Sequence, residues 1–278
     1  MTTIDITTRP LQGAFGVEVT GVDVAAGGEA LHRELASLFE RHGVLLIREQ
    51  ALSPEEQLRF TRAFGEPETN QRLEFTLPSL PEVYVLSNKE KDGRRIGDVD
   101  AGQAWHTDAS YLERPALCTI LHAIEVPDEG SDTLLADLCG AWAALPEETR
   151  AELDGLGVIH SWRTLMALKG IVLEDDGGYP DVVHPLARRH PVDGRVALWV
   201  TTGTTRGIVG RPEAAGVELI QRLVDHATQP RFVFRHRWQP GDILIWDNRV
   251  TLHTGTPFDT TRYDRLVHRT WTRGERPQ

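Results

Sequence analysis

The chain is poor in cysteine: Cys118 and Cys139 are its only two, and no CxxC pair offers a zinc framework. Two unpaired thiols suit a reducing compartment, where they act as small buried hydrophobes. No run of about 18 apolar residues is present, which leaves no candidate membrane span. The opening MTTIDITTRP lacks a basic stretch followed by an apolar one, so a secretory signal is not expected and a cytoplasmic location is. Positive charge is also scarce: 30 Lys and Arg face 41 Asp and Glu, for a formal net charge of -11. That field repels phosphates and argues against a nucleic-acid or anionic-membrane partner. An anionic ligand would have to be held by local cations.

What is present reads as an ordinary globular protein, with 40% hydrophobic and 26% charged residues over 278 positions. A single domain spanning 1–278 is expected. Helical periodicity marks residues 29–43 and 53–65, both ending at glycine, and residues 146–156 and 212–227. Short β-rich runs cover 43–49, 82–88, 117–126, 132–138, 195–201, 231–238, 242–248 and 265–272. The runs are too short and too directly joined for a βαβ series. The expected fold is therefore mainly β with flanking helices, built on a double-stranded β-helix (jelly-roll, cupin-like) core. Residues 161–194 show no confident pattern and read as an active-site lid.

WHTDAS, residues 105–110, places His106 and Asp108 two positions apart. In an extended chain the side-chain period of two puts both on one face, with Cα atoms about 6 to 7 Å apart. His32 and Glu34 have the same spacing inside a helical pattern, where they diverge around the axis. Alone, HxD is a weak signal, more often a hydrogen-bonded surface or core pair than two metal ligands. A second histidine, His253 in WDNRVTLHTG, lies on another strand 147 residues further on, where barrel closure can unite distant strands. Two histidines and one carboxylate on one flank of an ion form the facial triad of non-haem iron(II) oxygenases, with open positions opposite. Arg265 and Arg269 share a strand face and need anionic partners if buried. On their own they also fit an exposed edge strand.

Together WHTDASYLERP, GSDTLLADLCGAWAALP, HPVDGRVALWV and the stretch over 226–253 resemble the TauD/TfdA family of Fe(II)- and 2-oxoglutarate-dependent dioxygenases, over nearly the whole chain. The resemblance implies His106, Asp108 and His253 as iron ligands, and Fe(II), 2-oxoglutarate and O2 as cofactor and cosubstrates. It implies Thr133 and Arg265 as partners of the distal carboxylate of 2-oxoglutarate, with a guanidinium fork suited to that role. Arg269 matches the position that meets the substrate's anionic group. Trp246 would line the cosubstrate end or pack as core. The implied reaction hydroxylates a small organic anion and releases succinate and CO2, and the hydroxylated product collapses where the new hydroxyl lies beside a leaving group. Asp108 argues against a related halogenase, in which that carboxylate is replaced by a small residue.

Where the taurine enzymes carry a sulfonate-binding histidine after FGE, this chain reads PETNQRLEF, with Asn70 as the nearest counterpart. An amide carries no charge, which disfavours taurine. A sulfonate, alkyl sulfate, aryloxyalkanoate or other carboxylate remains open, and Trp162, Met166 and Leu168 of the lid suit an apolar body. Two alternatives share the architecture: a divalent-metal hydrolase, since the same donors hold zinc, and a non-catalytic 2-oxoglutarate or metal sensor. A homo-oligomer, dimer or tetramer, is implied by analogy alone.

Overall fold

A computed structural model describes residues 6–11, 15–99, 102 and 104–278. Its centre is an eight-stranded sheet in the spatial order Thr7–Pro10, Val17–Thr20, Val44–Ile47, Ile243–Asp247, Ala116–Glu125, Leu266–Arg273, Leu80–Ser87, Thr76–Leu77. A three-stranded sheet, Val233–His236, Thr133–Asp137 and Thr251–Gly255, faces it. The interior between them is filled by Val44, Leu46, Leu244, Trp246 and Val267 from the large sheet and by Leu135 and Phe234 from the small one. This is the jelly-roll core that the short strand pattern implies.

The other faces are covered by helices. Helix α1, Gly28–His42, buries Leu31, Leu35, Leu38 and Phe39, spaced to form one stripe, and ends at Gly43 in the left-handed conformation with φ 71°. Helix α2, Pro54–Thr61, starts with a capping box in which Ser53 and Glu56 each accept the other's backbone N–H. Both pack on Leu45, Ile47, Ile120, Ile243 and Ile245, the outward residues of the large sheet. On the far side, Ala136 and Leu252 of the small sheet meet Ile220, Leu223 and Val224 of a long C-terminal helix, Glu213–Ala227. The central strands are thus buried on both faces, so runs such as VLLI and ILIW read as continuously apolar rather than alternating. Cys118 lies in this packing with no exposed surface, and burial pushes the thiol of Cys139 up to about 12.

Three local expectations need correction. Residues 105–110 do not form a strand: His106 makes a single bridge to His253, and the chain then turns, with Ala109 at φ 53°. The Asp108 N–H is taken by the Asn248 side chain instead of a strand partner. The segment 161–194 is more ordered than an unpatterned lid, because it contains the helix Trp162–Leu168 and the strands Val182–Pro185 and Ala187–Arg189. The strand expected over 231–238 covers only Val233–His236, because residues 230–232 form a helical turn that opens with Pro230, which has no N–H to give a ladder. A short helix, Leu138–Ala143, was not foreseen; Asp137 caps it by accepting from the N–H groups of Cys139 and Gly140.

Candidate active site

His253 lies on the strand Thr251–Gly255, opposite Leu135, and the bridge at residue 106 fixes the second imidazole beside it. His106 N–H donates to the His253 carbonyl, and His253 N–H to the His106 carbonyl, both at 2.9 Å. The two rings stand 4.0 Å apart between centroids. Asp108 completes the group, with Oδ1 3.7 Å from His106 Nε2 and Oδ2 3.5 Å from His253 Nε2. One donor atom from each residue lies within 4.8 Å of the others. His106 and Asp108 also line a cavity of about 530 Å³.

The protonation states suit metal ligation. Burial holds both imidazoles below their ordinary range, so they are neutral near pH 7. Burial alone would push the Asp108 carboxyl up, but Arg269 and the two histidines more than offset it and hold it well below the usual carboxylate range. His106 Nδ1 lies 2.7 Å from the Ala104 carbonyl, which makes that nitrogen the N–H donor and leaves Nε2 with a free lone pair. Trp246 packs against the His253 ring at 4.6 Å. Gly102, at φ +79°, covers His106: an added Cβ there would come 3.3 Å from Cε1 and 3.8 Å from Nε2. The missing side chain keeps that flank clear. A divalent ion such as Fe(II) therefore fits the donor set.

The remaining expected residues separate into two groups. Arg269 and Asn70 line the cavity. Arg269 Nη2 donates to Asp108 Oδ1 at 2.8 Å, and the Asn70 amide nitrogen is buried without a hydrogen-bond partner among the described residues. Arg265, Thr133 and Trp246 are not among the cavity's lining residues. Trp246 belongs to the barrel interior together with Trp238, whose indole N–H donates to Thr133 Oγ1 at 3.1 Å. Arg265 precedes the interior Val267 by two positions, and Asn88 and Ser87 hold only its backbone. Its guanidinium has no carboxylate within bridging distance among the described residues, Nε is enclosed and unpaired, and burial pushes its pKa down to about 10. A half-buried cation without a partner charge is costly, and an anion beside it would offset that cost.

Several contributors were not foreseen. Thr119 donates to Asp108 Oδ2 at 2.7 Å, and Asn248 accepts the Asp108 N–H. Thr119 is the single hydroxyl of the β-rich run 117–126 and Asn248 the amide of WDNR; a polar residue in a largely buried run is the signal that could have found them. Elsewhere in the cavity lining, Arg72, Tyr84 and Lys169 gather on the buried carboxylate of Asp98. The apolar part of the lining is Trp162, Leu165, Met166, Leu168 and Ile171, with the Tyr111 ring tilted against Trp162 at 4.6 Å. Glu40, His190 and Asp247 form a second group close enough to share an ion. Arg249 already sits there, donating to Glu40 at 2.8 Å and to Asp247 at 2.7 Å, so a guanidinium supplies the compensating charge.

Comparison with known proteins agrees with this geometry. The chain is 34% identical over 275 residues to the alpha-ketoglutarate-dependent 2,4-dichlorophenoxyacetate dioxygenase of Cupriavidus pinatubonensis, covering 92% of this chain and 94% of that one. It is 33% identical to pentalenolactone F synthase of Streptomyces arenae, covering 90% of each. Among solved structures, AAD-2 in complex with Mn(II) and N-oxalylglycine superposes with a TM-score of 0.85 at 29% identity, covering 99% of both chains. Residues 7–271 match the family described as taurine catabolism dioxygenase TauD, TfdA. With the donors of His106, Asp108 and His253 gathered in its jelly-roll core, the chain belongs to the TauD/TfdA dioxygenase family.

Proposed function

We propose that the chain is an Fe(II)- and 2-oxoglutarate-dependent dioxygenase that hydroxylates a small organic anion with an apolar body, using His106, Asp108 and His253 as the iron ligands. The convergence of those three donors within 4.8 Å, beside a cavity that also holds Arg269, carries the reading. Bound Fe(II), with 2-oxoglutarate and O2, would supply the oxidising chemistry that splits the oxoacid to succinate and CO2 and hydroxylates the substrate.

The chain's own residues would do the positioning. Two neutral imidazoles and one carboxylate leave a divalent centre with residual positive charge, which favours a chelating anion. Arg265 would pair with the distal carboxylate of 2-oxoglutarate, with Thr133 beside it and Trp246 holding the His253 ring. Arg269 would hold the substrate's anionic group, and the unpaired Asn70 amide would donate a hydrogen bond to the same ligand. The wall of Trp162, Leu165, Met166 and Leu168 comes from the segment 161–194 and would exclude water over the reacting carbon. A carboxylate on an aryl or alkyl ether, a sulfonate or an alkyl sulfate all meet these requirements.

The test is succinate production by the purified chain with Fe(II), 2-oxoglutarate and a panel of aryloxyalkanoates, sulfonates, alkyl sulfates and amino-acid-derived acids. Substrate-stimulated succinate that disappears in His106→Ala, and that Zn(II) does not restore, supports the proposal. Hydrolysis of a panel member with Zn(II) and no succinate with Fe(II) would replace it with a hydrolase.

A further inference from the structure

We propose that Thr119 and Asn248 form a hydrogen-bond relay that presents Asp108 to a divalent metal through one oxygen only, Oδ1. The inference rests on reading His106, Asp108 and His253 as the metal site. The relay's direction follows from groups that can only donate. Asn248 Oδ1 receives the Asp108 backbone N–H at 3.1 Å and the Trp246 indole N–H at 3.2 Å. That end of the amide is therefore the oxygen, and Nδ2 points the other way, donating to Thr119 Oγ1 at 2.9 Å.

With that contact accepted, the single hydroxyl hydrogen of Thr119 is directed at Asp108 Oδ2, 2.7 Å away. Thr119 and Asn248 have no exposed surface, so water offers no alternative partner to either. Asn248 is itself fixed, since its carbonyl accepts the Trp199 indole N–H at 3.0 Å and its N–H donates to the Leu117 carbonyl at 2.8 Å. Each Asp108 oxygen lies near one imidazole, Oδ1 3.7 Å from His106 Nε2 and Oδ2 3.5 Å from His253 Nε2, but Oδ1 differs in its hydrogen bond. Its hydrogen-bond partner is Arg269, a side chain that lines the cavity. The relay holds Oδ2 as an acceptor and leaves Oδ1 as the oxygen that can exchange a guanidinium for a metal. Thr119 is thus a positioning residue acting through Asp108, and Asn248 orients Thr119.

The experiment is anaerobic titration of the full chain with Mn(II), following the free-ion paramagnetic resonance signal. Thr119→Val should weaken Mn(II) binding on the order of 10-fold or more, the effect of losing a hydrogen bond behind a ligand. Thr119→Ser should return it to within about 3-fold of the parent, because the hydroxyl remains. Asn248→Ala should weaken binding too, and combining it with Thr119→Val should add little, since both break one relay. Parent-like affinity in Thr119→Val, failure of Thr119→Ser to recover, or full additivity of the pair would overturn the relay. Thr119→Ala takes the place of the valine variant if that protein does not fold. His106→Ala separates the two levels: unchanged Mn(II) affinity there would remove the metal site itself, whereas loss there with parent-like Thr119→Val would remove only the relay.

Discussion

Replacing Arg265 should make the free protein more stable while removing its response to 2-oxoglutarate. The guanidinium has no carboxylate partner among the described residues, and burial lowers its pKa from the ordinary 12.5 to about 10. At about 1.4 kcal/mol for each tenfold change, enclosure disfavours the charge by about 3 kcal/mol. Arg265→Met keeps much of the length and apolar volume without the charge. Allowing for imperfect packing of the thioether, a gain of about 1 to 3 kcal/mol is expected, or a melting-temperature rise of roughly 2 to 6 °C for a chain of this size. The assay is thermal unfolding with and without millimolar 2-oxoglutarate, in the presence of Mn(II) under nitrogen. The parent should be stabilised by the oxoacid, because a ligand that binds only the folded state raises its stability. The variant should melt higher without the oxoacid and gain nothing from it. A variant that melts lower without ligand, or that retains the parent's ligand-induced shift, would refute the argument that this cation is held in readiness for an anion.

Gly102→Ala should weaken Mn(II) binding by about 1 kcal/mol or more while leaving the circular dichroism of the fold intact, since φ +79° strains any L side chain and the new Cβ would press on His106 Cε1. Trp162→Ala should raise the KM for a panel substrate by roughly 10-fold and let 2-oxoglutarate turn over without product, measured as the ratio of succinate to hydroxylated product, because the indole that packs on Tyr111 and Tyr179 walls the cavity. Acid should weaken the fold through His184 and His268, whose pKa values burial lowers to about 4. Below the ordinary 6.5 the unfolded chain takes up a proton that the native ring refuses, so stability is present above pH 6.5 and is lost as the pH falls towards 4, by up to about 3 kcal/mol for each ring. Thermal melts between pH 7.5 and 4.5 should show that slope, and His268→Gln should flatten part of it; identical slopes would contradict the assignment.

The β-rich character and most strand positions were legible because runs such as ILIW and VLLI need burial on two faces, and the glycine and capping signals of α1 and α2 were explicit. The meeting of His106, Asp108 and His253 was accessible through spacing and family pattern. The local form of WHTDAS was not, since a side-chain amide 140 residues away decides where the Asp108 N–H points. For the same reason Thr119 looked like one more strand residue, although its hydroxyl touches a candidate ligand. The helix Trp162–Leu168 was not legible because seven residues carry too little periodicity to stand out from a long polar segment. The contact between Arg269 and Asp108 lay beyond any sequence argument, as it depends on which of several carboxylates a strand presents to it.

The cavity's two sides are anchored very differently. On one side Tyr84, Arg269 and Trp271 stand on the paired strands Leu80–Ser87 and Leu266–Arg273 of the large sheet, in close-packed surroundings where a change of one methylene is felt. Its roof is a seven-residue helix and the turns after it, where Leu168 and Val172 stand largely in solvent. Substitutions in the roof can reshape which organic anion is admitted without disturbing the residues that would carry out oxidation. New specificities for this scaffold should therefore be sought between Trp162 and Val172, with the strands left as they are.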